Sequence, residues 1–594
     1  MSAHSFKKAL RNGSSALALS TIALIGAPAA QATDGIFGGG STLASLAERN
    51  LSSNFYYFTS PNVLLLYAAI GSGSGQRIFI SNDPAQGFLG TGLDPATPPD
   101  YLFPSLGFST YPYPRIDFGA SDSPLPANFV TTAGTYTTTL YNWDHINHTT
   151  LATGSTSYPT ANYGAPIQLP LFEAPVAVAV NLPEVSQSTG ATVAGGVAWT
   201  IKSQLPASPA PYGGRIQLSA AQICAIFSGL VTDWNDSTTI IPTLLSDGTA
   251  IPTTPPTTTE HFADANTWRA GSTAGTPGTG GGTAYAGSST PIKIVYRKDG
   301  SGTSFIFTNY LKTVCPLLDP SNTYGYQSIF ATSVLPNNNF TQLINKVTAY
   351  GRSLNTVGAD GSDAVAAAIG NSSANYGYIG YLSADFVQPN NTATTSPYAA
   401  NVQNDYLRFK GVYHPGQTPT GTTVPADFAA PSPLGGQAAW GALAVPATAD
   451  FNDWNVYAQT WTTPTTLQGT VSPNVVDIGG RSKLPLAPAD GAYPLTGTAY
   501  GFFYSCYGAG RDGVAAATRV ANLKNYLTWH YNKFSPPAGN AENVIVVNGF
   551  TPLPATWTSA IYDKYLNSAN STAIAAYGAS PANGCSSVTG TGAQ

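Results

Sequence analysis

The sequence predicts an α/β protein. Short apolar, β-branched runs alternate with stretches in which apolar residues recur at helical spacing, and Gly- or Ser-rich turns join the two kinds. At 594 residues the chain is long enough for two or more domains with substantial cores. Val176 to Leu182 (VAVAVNL) reads as a strand, as do Lys293 to Tyr296 and Val544 to Val547. Phe305 to Val314, Ala364 to Ile369, Ala515 to Tyr531 and Ser559 to Leu566 read as helices. Four stretches rich in Pro, Gly and Thr interrupt the alternation: Gly87 to Tyr113, Asn128 to Pro166, Gly248 to Pro291 and Gln388 to Pro433. They read as surface insertions with little regular helix, and their length leaves room for a role or for small β-structure of their own.

The first residues have the form of an export signal. Lys7, Lys8 and Arg11 precede an apolar run, Ala16 to Ala27, that is too short for a membrane span, and Ala30-Gln31-Ala32 fits the small-x-small cleavage rule. Cleavage is expected after Ala32. No lipobox cysteine follows, so a soluble product without a membrane anchor is expected, in the periplasm or outside the cell. Loss of the signal lowers the basic count from 24 to 21 against 29 acidic residues, a mature net charge of −8. A bulk field of that sign excludes binding of nucleic acid by general attraction, and an anionic ligand must be held by local hydrogen bonds. Charged residues are only 9% of the chain, far below the usual quarter or so. Cys224, Cys315, Cys506 and Cys585 lack the spacing of a zinc site, so no metal is expected. In an oxidising compartment they make two disulfides, and three pairings are open.

Four segments carry polar chemistry. Ile294 to Tyr310 (IVYRKDGSGTSFIFTNY) reads as a strand ending at Arg297, a Gly-rich turn, and a helix beginning near Thr303. Unpaired N–H groups and the positive end of the dipole gather at such a helix start. Ser301 and Thr303 add hydroxyls, and Arg297 can present two parallel N–H donors. The same residues also suit an ordinary corner with a Ser or Thr N-cap. Tyr67 to Gly75 (YAAIGSGSG) is a second Gly/Ser turn, by itself equally a loop. Arg115 to Leu125 (RIDFGASDSPL) places Asp122 where an Asx-turn or N-cap would also put it. Gly38 to Leu43 (GGGSTL) lies just past the cleavage point and could be a flexible new N-terminus.

Together these segments resemble the phosphate-binding proteins of phosphate ABC transporters, the PstS family. That family carries an A-T-F/L element, a G-I-G-S-S-G turn, a D-F-G-A-S-D-x-P-L segment and an R-x-D-G-S-G-T-S-F-x-F-T-x-Y-L strand–helix, in this order. Here they stand as Ser41-Thr42-Leu43, Ile70 to Gly73, Asp117 to Leu125 and Arg297 to Leu311. The mature start, Thr33 to Gly40, is similar to the DING branch but departs from its D-I-N-G-G-G opening. Leu218 to Trp234 resembles the family's helix ending in G-x-x-x-x-W, and Tyr376 to Asp385 its G-A-I-G-Y strand. The four insertions lie outside the resemblance.

The resemblance implies a two-lobed periplasmic-binding-protein fold, type II-like, with two hinge strands near Val178 to Leu182 and Tyr493 to Phe502. Behind the signal of 1–32, it implies a first lobe of residues 33–179 with 497–594 and a second of 180–496. It implies the pairs Cys224–Cys315 and Cys506–Cys585. It also implies a phosphate site: backbone N–H groups of Thr42 and Leu43 with the Thr42 hydroxyl, the Ser72 hydroxyl, Arg297 held by a carboxylate, and Ser301, Gly302 and Thr303 at a helix start. Asp122 would accept the proton of HPO4²⁻. The implied partners are inorganic phosphate and an ABC permease, with no cofactor. Two other classes compete. A secreted phosphatase needs a nucleophile with a base, or metals, and the chain has no G-x-S-x-G, H-E-x-x-H or paired-carboxylate motif; His145 and His148 read as a solvated loop. A structural or adhesive surface protein would suit the low charge, the 33 tyrosines and the insertions.

Overall fold

The computed structural model describes residues 35–58, 62–87, 113–130, 136–144, 149–181, 217–241, 289–403, 428–458, 484–531 and 540–594, apart from short gaps within these spans. The signal segment, His145 and His148, and most of three of the four insertions lie outside the described residues.

Ten of the strands among the described residues matter here: β1 (Gly35–Gly39), β2 (Leu64–Ala68), β3 (Phe118–Ser121), β4 (Thr137–Asp144), β5 (Thr149–Ser157), β6 (Pro166–Asn181), β7 (Lys293–Arg297), β8 (Thr356–Ala359), β9 (Tyr378–Ser383) and β10 (Thr496–Tyr504). The helices that matter below are α1 (Ser45–Phe58), α2 (Ser72–Ser81), α3 (Ala220–Phe227), α4 (Gly302–Leu318), α5 (Gly361–Ile369), α6 (Pro433–Trp440), α7 (Ala516–His530), α8 (Ala541–Val547) and α9 (Ala555–Ile561). Eight strands follow one path, β2-β1-β3-β10-β6-β9-β7-β8. Its two ends are parallel triplets, β2-β1-β3 and β9-β7-β8. The antiparallel strands β10 and β6 join them.

This is a two-lobed α/β fold, and β6 is its through-strand. Residues 166–175 pair with β10, whereas 176–181 pair with β9, so the strand changes partner between Pro175, opposite Thr496, and Val176, opposite Ser383. All sixteen residues of β6 are buried. Burial on both faces is why its second part, Val176 to Val180, reads as a continuous apolar run and not as an alternation; the first part carries the buried Gln168 and Glu173, and the sequence does not mark it as strand. The return connection arrives at the same level: the Leu495 carbonyl accepts the Val176 N–H at 2.9 Å, and Tyr493 donates its hydroxyl to the Val176 carbonyl at 2.8 Å.

The strand at Lys293 and the helices over Phe305 to Val314, Ala364 to Ile369 and Ala515 to Tyr531 form where the sequence places them, each extended or trimmed by a few residues. Val544 to Val547 is a correction: it is the end of helix α8. The Asn540 side chain accepts the Glu542 N–H at 2.7 Å and caps the helix, and Glu542 sits at its positive end. Only Ala541 and Ile545 of α8 are buried, while Val546 and Val547 are about half exposed. Capping and one-sided packing override β-branched propensity here. The Asn128 to Pro166 insertion does hold small β-structure, the hairpin β4–β5. The Gln86 carboxamide brackets Tyr141 of that hairpin, donating to its carbonyl and accepting its N–H, both at 2.9 Å. Disulfides join Cys224 to Cys315, tying α3 to α4, and Cys506 to Cys585. Among the described residues no helix is long and apolar enough to cross a membrane.

Candidate anion-binding site

Three backbone segments converge where β1, β3 and α2 meet. Gly40 has φ +149°, and a Cβ on it would lie 1.8 Å from the Ala120 carbonyl oxygen. A Cβ on Gly75 would lie 1.9 Å from the same oxygen. Only glycine at both positions lets the chain close this tightly. The convergence sets Ser41, Ser72 and Asp122 side by side. Ser41 Oγ donates to Asp122 Oδ1 at 2.5 Å, and Ser72 Oγ lies 3.3 Å from Oδ2. Ser72 Oγ also accepts the Asp122 N–H at 3.2 Å. Thr42 and Leu43 lead into α1; the Thr42 carbonyl accepts from Ser45, and the Leu43 side chain is fully buried.

The other half supplies the cation. Arg297 ends β7, and its guanidinium is buried. Its Nε donates to Asp299 Oδ1 at 2.7 Å, and its Nη2 pairs with Asp299 Oδ2. Nη1 reaches Thr303 Oγ1 at 3.2 Å and Ser362 Oγ at 3.3 Å. Asp299 is itself held by the Gly361 N–H at the start of α5, 3.3 Å away. Ser301 is the N-cap of α4, its hydroxyl accepting the Ser304 N–H at 3.4 Å. Gly302 and Thr303 then form the first turn, where unpaired N–H groups and the helix dipole favour an anion. Tyr381 of β9 accepts the Arg297 N–H at 3.3 Å and shares a 2.7 Å hydrogen bond with Ser304.

The two halves touch. Arg297 Nη2 donates to Thr42 Oγ1 at 2.6 Å, the Gly73 N–H to the Gly300 carbonyl at 3.3 Å, and the Ser383 hydroxyl to the Leu43 carbonyl at 3.4 Å. A Cβ on Gly302 would lie 2.4 Å from the Asp122 Cβ, so α4 can approach Asp122 only through a glycine. Asp122 is 1% exposed. Burial pushes its carboxyl up to about 7, against the pull of the Ser41 hydroxyl, the Arg297 charge and Ser72, while Asp299 pushes it further upward.

Every residue of the expected site therefore comes to this one place, from segments up to 261 positions apart in the chain (Thr42 to Thr303). Sequence reasoning did not single out Ser41, Asp299, Ser362 or Tyr381. Asp299 stood next to the motif residues, and its offset of two from Arg297 suits a carboxylate that braces the guanidinium. Tyr381 stood in the Tyr376 to Asp385 segment that resembles a family strand, but no role was read for it, and Ser362 had no local signal. Among the described residues no group of three or more His, Cys, Asp or Glu is placed to hold a metal.

Residues 165–531 match the family model described as the PBP superfamily domain. The chain belongs to the PBP superfamily. It is 25% identical over 360 residues to a phosphate-binding protein of an unknown prokaryotic organism, covering 60% of this chain and 69% of that one. It is 28% identical over 285 residues to alkaline phosphatase L of Pseudomonas aeruginosa (strain UCBPP-PA14), covering 48% of this chain and 56% of the relative. Among solved structures it is similar to PfluDING, a periplasmic phosphate-binding protein bound with phosphate, at TM-score 0.50 and 19% identity, over 93% of this chain and 98% of that one. That last likeness speaks to the fold. In this superfamily member β6 runs through both parts of the sheet, pairing first with β10 and then with β9.

Proposed function

We propose that this protein captures inorganic phosphate as HPO4²⁻ between its lobes and is a binding protein, not a hydrolase. One observation carries the reading: a fully buried carboxylate, Asp122, faces the buried guanidinium of Arg297 and the first turn of α4. The proposed contacts are the N–H groups and hydroxyl around Thr42 and Leu43, the hydroxyl of Ser72, the guanidinium of Arg297, and donors of Ser301, Gly302 and Thr303. A dianion is met by one cation and by hydrogen-bond donors, which are strengthened in a site closed to water. Asp122 accepts the proton that HPO4²⁻ retains. Sulfate has no proton there, and its charge beside an ionised buried carboxylate is unpaired repulsion, a penalty of several kcal/mol.

We assign residues 33–179 with 497–594 to one lobe and 180–496 to the other. The change of partner at Pro175/Val176 supports a first crossing slightly before Val178. Because each lobe holds only part of the contact set, phosphate favours the state in which both lobes touch it. Export by the N-terminal signal and delivery to an ABC permease complete the reading. Calorimetric titration of the phosphate-stripped protein with phosphate and then sulfate tests it: tight phosphate binding with no heat from sulfate is expected, and a folded protein indifferent to both would end the proposal. The relative named alkaline phosphatase L supports a second reading, turnover of a phosphate monoester at the same site. Release of nitrophenol from its phosphate ester, abolished by Asp122→Asn, would favour it.

A further inference from the structure

Ser41 is fully buried, and each of its polar groups has a defined partner. Its N–H donates to the Ala120 carbonyl at 3.2 Å, and its carbonyl accepts the Tyr67 hydroxyl at 2.7 Å. Its Oγ accepts the Ala44 N–H at 3.2 Å, just ahead of α1. A hydroxyl that already accepts from an N–H and lies 2.5 Å from a carboxylate oxygen has one use for its single proton. Oδ1 of Asp122 is therefore an occupied acceptor. Oδ2 is different. Its serine partner, Ser72, is 3.3 Å away, and Oδ2 would lie 2.7 Å from a Cβ on Gly302, so it is the oxygen turned toward α4.

We propose that Ser41 is a positioning residue that ties down Oδ1, so that the ligand's proton is taken at Oδ2, and thereby sets the lower pH limit of selectivity for phosphate over sulfate. The inference rests on the phosphate reading above. The charged and titratable groups around Asp122 are Arg297, Asp299, and the phenols of Tyr67 and Tyr457, the last donating to the Asp122 carbonyl at 3.3 Å. Of the influences that hold the Asp122 carboxyl down against burial, the Ser41 hydroxyl is the largest. Removing it raises the proton affinity of Asp122. A protonated Asp122 no longer repels sulfate, so selectivity is then lost at a higher pH.

The test is competition of sulfate against phosphate across about pH 5 to 9, in the wild type, Ser41→Ala and Ser41→Thr, each repeated in an Asp122→Asn background. In Ser41→Ala the pH at which sulfate begins to compete should rise by about one unit, the order of one lost hydrogen bond to the charged form. Ser41→Thr keeps the hydroxyl and should stay near the wild type. In the Asp122→Asn background Ser41→Ala should move nothing. An unmoved midpoint in folded Ser41→Ala, or the same shift without the Asp122 carboxylate, overturns the proposal. If Ser41→Ala does not fold, Ser41→Cys carries the test, since a thiol is only a weak donor. If the wild type binds no phosphate, the phosphate reading fails on its own. Infrared titration of the Asp122 carboxyl in ligand-free wild type and Ser41→Ala then still shows whether Ser41 governs its ionisation.

Discussion

Two buried carboxylates stand five residues apart, and their surroundings are opposite. Asp117 is 3% exposed and sits between two arginines: Arg115 Nε lies 3.2 Å from both its oxygens, and Arg519 Nε donates to Oδ1 at 2.9 Å. The Phe37 N–H adds a bond to Oδ2 at 3.0 Å. Arg115 also pairs with Asp512, and Arg519 Nη1 donates to the carbonyls of Gly508 and Ala593 at 2.8 and 2.7 Å. Asp122 has two hydroxyls and no arginine in contact. Asp117 is a finished ion network that ties the β1–β3 edge to the C-terminal region. Asp122 is buried with an acceptor left for something else. Burial by itself marks neither structure nor function; what distinguishes them is whether the charge is already met.

The largest effect expected is at the finished network. Arg519→Ala leaves Asp117 short of a cation and several carbonyls without a donor, and a loss of about 3 to 5 kcal/mol is expected, read by chemical denaturation. A loss below 1 kcal/mol would mean the network is dispensable and the contrast is void. Asp122→Asn should do the reverse. Stability is expected to change little, while the preference for phosphate over sulfate falls at least about a hundredfold, as for one desolvated like-charge contact, read by calorimetry. Gly302→Ala separates the halves instead of altering Asp122. With 2.4 Å left between the new Cβ and the Asp122 Cβ, phosphate affinity should fall about tenfold or more, an overpacking cost of about 1 to 3 kcal/mol, with unchanged circular dichroism.

A different effect, on pH dependence and not on the ligand, concerns a third buried carboxylate. Burial pushes Glu48 of α1 up to about 8, against the pull of the Tyr526 hydroxyl, which donates to it at 3.2 Å. Its folded pKa lies above the unfolded value, so the native state holds a proton that the unfolded chain has released. Stability should therefore decline as pH climbs from about 4.5 to about 8, and Glu48→Gln should flatten that decline in thermal melts across the window. His530 next to Tyr526 acts at the other end: burial pulls it down to about 4, so charging it in the unfolded chain costs stability as pH falls through 6.5.

Much of this contrast was legible before any fold. The Arg297 to Thr303 turn implies a helix start because glycines, a capping serine and the apolar spacing that follows are local properties. The second part of β6, from Val176, reads as a buried strand from its unbroken apolar run, whereas Pro166 to Pro175, with Gln168 and Glu173, carries no such signal. Arg115, Asp117 and Asp122, by contrast, stand in one eleven-residue segment, and nothing local separates the structural carboxylate from the other. Their difference lies in Arg519, some 400 positions away, and in Ser41, 81 positions away. Val544 to Val547 misled for a related reason: strand propensity is a preference for a surface to pack on, and at α8 the cap and the packing of Ile545 were stronger.

The sequence by itself determined the α/β class, the order of the polar segments and the residue types suited to an anion, because turns, caps and apolar periodicity are written within a few neighbouring positions. Only the tertiary structure decided which oxygen of Asp122 is occupied, which carboxylate braces Arg297, and that a glycine lets α4 reach across to Asp122. Those are distances between segments brought together by the through-strand β6, and no spacing along the chain encodes them.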